Sequence, residues 1–193
     1  MNNYTIFAKY FKRKRTFVRT LYLWYTIGMR ILGIDPGYAI MGYGIVEKRG
    51  SSIIPIAYGS LETEKDLPMP ERLKHLYSGL MEAIAEYQPE EASIEQLFFQ
   101  NNAKTAIFVG QARGIAILAC VNSGVKIYEY TPMEIKTSVS GYGKADKHQV
   151  QEMVKTILGF DEIVKPDDTS DALAAAICHS YQGEIKKHNF EMK

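Results

Sequence analysis

From residue 29 onward the hydrophobic and polar positions change period in a definite order. Arg30 to Asp35 (RILGID), Ile40 to Glu47 and Ser52 to Leu61 are short apolar or alternating runs separated by Pro-Gly and Arg-Gly-Ser turns, which predicts three successive strands of a meander. The period then shifts. Between Pro70 and Tyr87, Leu73, Leu76, Leu80, Ile84 and Tyr87 recur at intervals of three and four, an amphipathic helix that ends at Gln88-Pro89. Ala92 to Leu97 predicts a fourth strand. Asn102 to Asn122 predicts a long apolar helix whose Gly110 and Gly114 would let another element or a second subunit approach closely. Val125 to Tyr130 predicts a fifth strand, and Thr131-Pro132 opens a short helix through Val139. Gly141-Tyr142-Gly143 breaks it, and further helices are expected at about 146–158 and 169–181. Three strands, a helix, a strand and then alternating helices describe one α/β domain: a mixed five-stranded sheet flanked by helices.

Composition agrees with a single folded domain. The chain has 193 residues, 46% of them hydrophobic and 23% charged, which excludes a disordered or collagen-like polymer and a multi-span membrane protein. The formal net charge of +1 conceals an asymmetry. Lys9, Lys12, Arg13, Lys14, Arg15 and Arg19 stand in the first 28 residues without a single acid, so the rest of the chain carries 17 bases against 22 acids. The first 28 residues are therefore expected to be a basic, aromatic extension ahead of the fold, with Met29 the natural beginning. The domain is expected to occupy residues 29–182, with residues 183–193 a C-terminal tail. Cys120 and Cys178 lie in apolar stretches without metal-ligand spacing and are expected to be buried free thiols in a reducing cytoplasm.

Four carboxylates sit where a carboxylate is awkward. Asp35 ends a strand directly before Pro36-Gly37, where ordinary turn chemistry would also place it. Glu95 lies inside Ala92 to Leu97, where an interior strand would bury it, and an ionised Glu is rarely buried unless paired or metal-bound. Asp168 and Asp171 stand three apart at the head of a helix; Asp168 is a good N-cap, with Asp171 at N3 of a capping-box-like pattern. Yet that helix continues Ala172-Leu173-Ala174-Ala175-Ala176-Ile177-Cys178, small and apolar enough to pack on a sheet, and Asp171 shares a face with Ala174, Ala175 and Cys178. If the first and fourth strands are neighbours and this helix crosses them, all four acids converge. Like charges ~5 Å apart repel by ~3 kcal/mol per pair at an effective dielectric of ~20, so such a cluster needs protons or cations. Oxygen ligands without His or Cys point to Mg²⁺ or Mn²⁺ and to two-metal phosphoryl chemistry. His75, His148, His179 and His188 have no motif context and are expected to be surface or satisfied structural residues.

The segments Ile31-Leu32-Gly33-Ile34-Asp35-Pro36-Gly37, Ile94-Glu95-Gln96-Leu97-Phe98, Gly110-Gln111-Ala112-Arg113-Gly114, Val139 to Lys147 (VSGYGKADK) and Asp168-Thr169-Ser170-Asp171-Ala172-Leu173-Ala174 closely resemble the RuvC family, the bacterial Holliday junction resolvases. The resemblance runs from Met29 to about Tyr181 and leaves the first 28 residues uncovered. It implies a ribonuclease-H-like fold, a homodimer, and an endonuclease that resolves four-way DNA junctions beside a branch-migration helicase complex of the RuvA and RuvB type. By matching motifs, the metal-binding and catalytic acids fall on Asp35, Glu95, Asp168 and Asp171, with two Mg²⁺ ions per site and Mn²⁺ able to substitute. Some relatives carry His at the third acid; here it is Asp168.

DNA contacts are expected from local charge, since the body is acidic overall. Lys136, Lys144 and Lys147 cluster around the Gly-Tyr-Gly loop with Asp146 the only acid between 136 and 147, and Lys136 and Lys147 match family positions near the scissile phosphate. The resemblance makes Phe98 the aromatic that stacks on an unpaired base, a contact typically worth ~1–3 kcal/mol, and leaves Phe99 to packing. Two rival readings remain at this stage. The GIDPG turn also resembles the phosphate-binding turn of actin-like and sugar-kinase ATPases, which need two such domains where 193 residues supply one. The other is a non-catalytic junction- or RNA-binding module whose acids are only caps and turn residues.

Overall fold

The computed structural model describes residues 28–96 and 103–191. Five strands, β1 (Met29–Asp35), β2 (Ile40–Arg49), β3 (Ser52–Glu62), β4 (Glu91–Glu95) and β5 (Lys126–Tyr130), form one sheet in the order β3-β2-β1-β4-β5. The meander is antiparallel, and β4 and β5 join parallel to β1. Pro55, which cannot donate to a ladder, is tolerated because β3 is an edge strand. Five helices follow in chain order: α1 (Met69–Tyr87), α2 (Ala103–Asn122), α3 (Pro132–Ser140), α4 (Lys147–Leu158) and α5 (Asp167–Glu191). The mixed five-stranded sheet and the helix positions follow the expected pattern.

Period-two alternation in the strands supplies two cores, one on each side of the sheet. Leu32, Ile34, Ala92 and Ile94 pack with Leu76, Leu80 and Ile84 of α1 and Ala112, Ala116 and Ala119 of α2. Ile31 and Val46 pack on the other side with Leu173 to Cys178 of α5, Ile135 and Val139 of α3, and Val150, Val154 and Leu158 of α4. Asp35 and Glu95 therefore lie on the α5 side of their strands. Cys120 and Cys178 are buried free thiols, as expected, and burial pushes them up to about 12 and about 11, so neither is a reactive thiolate at neutral pH. No helix among the described residues is long and apolar enough to cross a membrane.

Three expectations change. The last helix begins at Asp167 and runs to Glu191, so residues 183–191 are its final turns and not a separate tail. Lys186 and Lys187 in those turns pair with Glu134 and Glu91 of the body at 3.3 and 2.9 Å. The capping boxes lie elsewhere than at Asp168: Thr131 with Glu134 opens α3, and Asp146 with Gln149 opens α4. Asp168 lies one residue inside α5, and among the described residues its carboxylate makes no capping hydrogen bond or ion pair. Among the described residues no element of this chain approaches Gly110 or Gly114, for a Cβ added at each would meet nothing within 4 Å; of the two approaches expected there, the one from within the chain is not made.

Candidate active site

The packing of α5 on the sheet creates the site. Strand β1 ends at Asp35, whose register partner on β2 is Gly42. A Cβ on Gly42 would stand 2.0 Å from the carbonyl oxygen of Asp168, and one on Gly33 would stand 1.9 Å from that of Ala172. Only glycine at these two positions lets the backbone of α5 rest directly on the strands. That contact brings the first turn of the helix, with Asp168 and Asp171, over the end of β1. Strand β4 supplies the fourth acid: it runs parallel to β1 with Ile34 opposite Ile94, so Asp35 and Glu95 stand side by side at the C-terminal ends of adjacent strands.

The electrostatics record the convergence. Asp35 is pushed up to about 7, first by burial and then by the charges of Asp171, Asp168 and Glu95, with Lys147 acting in the opposite direction. Glu95 is raised by burial and by Asp171, against the pull of Lys136 on α3. Asp171 is raised by burial, partly offset by Lys147. The N-terminus of α5 points its partial positive charge into the same space, which favours anions there but does not neutralise four of them.

Lys147, the first residue of α4, reaches into the cluster. Its ammonium lies 3.1 Å from Asp171 Oδ2 and 3.3 Å from Asp167 Oδ2. Burial alone would lower this lysine, but Asp171 and Asp167 outweigh it and hold the ammonium charged. Among the described residues, no three carboxylate, imidazole or thiol side chains stand close enough to hold an ion between them. The acids gather around one space without closing on a point, and a lysine occupies one of them. Mutual repulsion and that ion pair account for the open arrangement.

Of the expected residues, the fold brings together Asp35, Glu95, Asp168 and Asp171 with Lys136 and Lys147 beside them. Lys144 is exposed in the loop before α4 and, among the described residues, makes no ion pair. Phe98 and Phe99 lie outside the described residues. Reading the sequence missed two features. Asp167 contributes a further carboxylate, held down at about 2 by hydrogen bonds led by that of Lys165. Only the Asp167-Asp168 doublet hinted at it. Gly33 and Gly42 lie inside the first two strand runs and draw no separate reading from the pattern, although a glycine within a strand signals close backbone approach.

The histidine expectation holds where it can be checked at His179. It is fully buried on α5, with Nε2 2.8 Å from Glu91 and Nδ1 2.7 Å from the Tyr130 hydroxyl, and it stacks on Tyr128 at 4.5 Å.

Comparison with known proteins agrees with this architecture. A family profile described as "Crossover junction endodeoxyribonuclease RuvC" matches residues 31–179. A protein of that description from Desulforamulus reducens is 58% identical over 163 residues, covering 82% of this chain and all of the relative. Another from Caldanaerobacter subterraneus subsp. tengcongensis is 54% identical over 157 residues, covering 81% of this chain and 95% of the relative. Among solved structures, Thermus thermophilus RuvC in complex with Holliday junction substrate superimposes with a TM-score of 0.78 at 32% identity, covering 82% of this chain and 96% of that one. The yeast mitochondrial Holliday junction resolvase Ydc2 shares the fold at 16% identity, with a TM-score of 0.59. Identity of this extent across the whole sheet and the helix that crosses it, with the acids at the ends of matched elements, means that the chain belongs to the RuvC family of crossover junction endodeoxyribonucleases.

Proposed function

We propose that this protein resolves four-way (Holliday) DNA junctions by paired symmetric nicks in homologous recombination and DNA repair. Its reaction is metal-dependent hydrolysis of phosphodiester bonds that leaves 5′-phosphate and 3′-hydroxyl ends. The observation that carries the reading is the convergence of Asp35 with Glu95, Asp168 and Asp171: three elements deliver four acids, and Asp35 at their centre is raised to about 7, first by burial and then by the other three charges.

Asp35, Glu95, Asp168 and Asp171 are the residues assigned to hold Mg²⁺, two ions per site, with Mn²⁺ able to substitute. The donor set fits hard cations, being all oxygen. The upward shift of Asp35 fits as well, since a carboxylate that retains a proton against three like charges is one that a cation would free. When bound, such ions supply a hydroxide nucleophile and stabilise the leaving oxygen of an in-line displacement.

The chain's own residues position the strand. Lys136 and Lys147 flank the acids on α3 and α4 and are assigned to the phosphates next to the cut, with Lys144 contacting the backbone further out on the rim. Phosphate contacts fix register without reading sequence, so selectivity for a junction rests on its shape and deformability. Phe98 is assigned to stack on an unpaired base at the junction centre.

A homodimer supplies two such sites for opposite strands. Its support is an apolar stripe on α2: Ile107, Leu118 and Val121 are 62%, 47% and 61% exposed, and among the described residues nothing would lie within 4 Å of a Cβ on Gly110 or Gly114 between them. A second copy covering this stripe would bury it, and the glycines would let the two helices approach closely. Work beside a RuvA- and RuvB-type helicase complex in the cytoplasm completes the reading.

With Mg²⁺, the purified chain is expected to place paired nicks at symmetric positions in a synthetic four-way junction while sparing plain duplex. ATP hydrolysis without nicking would overturn the reading. Junction binding without nicking in either Mg²⁺ or Mn²⁺ would leave the non-catalytic module in its place.

A further inference from the structure

Asp167 stands at the edge of the site and is absent from the charges that raise Asp35, which are Asp171, Asp168 and Glu95. Its two oxygens are divided between two lysines. Oδ1 lies 2.7 Å from Lys165 Nζ, and Oδ2 lies 3.3 Å from Lys147 Nζ. The same Lys147 ammonium lies 3.1 Å from Asp171 Oδ2, so one cation is shared between a proposed metal ligand and a carboxylate outside the ligand set.

That sharing has a consequence once cations enter. An ammonium and a divalent ion held by Asp171 would compete for the same oxygen, and the ion would displace the lysine. Lys147 is 54% exposed and has a long flexible stem, so without a second anchor its head would swing into solvent when released. Asp167 is such an anchor: it is one residue from Asp168 on the same helix turn, and Lys165 holds its other oxygen.

We propose that Asp167 is a positioning residue, a carboxylate that is not a metal ligand and that keeps the Lys147 ammonium at the rim of the site when cations displace it from Asp171. In that position the ammonium faces the phosphate that the acids act on. The inference rests on the assignment of Asp171 to the metal site and of Lys147 to the substrate phosphate.

A double-mutant cycle tests it in the full chain, with Asp167→Asn and Lys147→Ala separately and together. Two readouts are taken: single-turnover junction cleavage at saturating Mg²⁺, and binding of Mn²⁺ alone by the DNA-free protein, followed by electron paramagnetic resonance. In the wild-type background Asp167→Asn is expected to slow cleavage roughly 5- to 10-fold and to weaken Mn²⁺ binding about 3-fold, because the lysine then pairs with Asp171 only. Asp167→Glu should recover most of both losses. In the Lys147→Ala background the same substitution should change neither readout by more than about 1.5-fold. Equal effects in the two backgrounds, or no effect in either, would overturn the proposal while leaving the site assignment intact. Wild-type cleavage by Lys147→Ala would overturn the assignment of Lys147 and the proposal together.

Discussion

Helix α5 and strand β4 meet twice, and the two meetings are opposite in kind. At one end Asp171 and Glu95 bring like charges together, with Asp35 and Asp168 beside them, and each burial raises a carboxylate. Two turns along the helix and four residues back on the strand, His179 and Glu91 form a buried pair with every polar atom engaged. Glu91 accepts from His179 at 2.8 Å and from Lys187 at 2.9 Å, and its carboxyl is lowered despite burial. The Tyr130 hydroxyl completes the imidazole's partners at 2.7 Å. The same two elements thus hold a satisfied network at one end and an unsatisfied one at the other. The satisfied end fixes the spacing of helix and strand, which lets the other end keep four acids together without pushing the elements apart.

The largest expected effect comes from breaking the satisfied end. Glu91→Ala leaves His179 without its acid and Lys187 with Glu184 alone, and removing one partner of a buried pair typically costs ~3–5 kcal/mol. Asp171→Asn removes a repelling charge, so the metal-free protein should keep its stability or gain up to ~1 kcal/mol. Urea unfolding of the two variants in chelator checks this directly. Equal losses from both would mean that the two meetings do not differ as described.

The second effect acts on the close approach itself. Gly42→Ala puts a Cβ against the Asp168 carbonyl and should cost ~1–3 kcal/mol, as overpacking does, while shifting the first turn of α5. Cleavage at a temperature where the variant remains folded should then fall far more than stability does, because the displaced turn carries two of the four acids. A fall in stability with normal cleavage would show that the turn has more freedom than this contact implies.

A third effect is a pH dependence. Asp35 rises from 3.8 to about 7 on folding, so the folded state holds its proton more tightly than the unfolded chain does. Its contribution to stability is therefore fully present below about pH 4 and is lost as pH rises toward 7, with a limiting slope of about 1.4 kcal/mol per unit. Asp35→Asn should flatten that part of the metal-free stability profile. Saturating Mg²⁺ should flatten it too, since a bound cation replaces the proton.

Most of the fold could be read from periodicity because each element carries its own signal: strand runs ended by Pro-Gly, and Leu73, Leu76, Leu80 and Ile84 at helical spacing. The four acids could be picked out because each conflicted with its local setting, and the motif order then tied them to a family. What stayed hidden depended on contacts between distant segments. The role of Gly42 is visible only once α5 lies on it, since the sequence around it reads equally well as an ordinary strand. The pairing of His179 with Glu91 joins residues 88 apart in the chain and has no local mark. The start of α5 was placed late because Asp168 has the chemistry of a cap, whereas the helix begins at Asp167 and leaves that carboxylate for the site.

The central claim is that the acids at the unsatisfied end act on DNA as a unit centred on Asp35. Incubation of Asp35→Asn with a synthetic four-way junction, with binding and cleavage measured on the same samples in Mg²⁺, tests it most directly. The account predicts wild-type junction binding with cleavage reduced at least about 1000-fold, since acids that act as a unit fail together. Paired nicking by Asp35→Asn at a rate near that of the wild-type protein would contradict it.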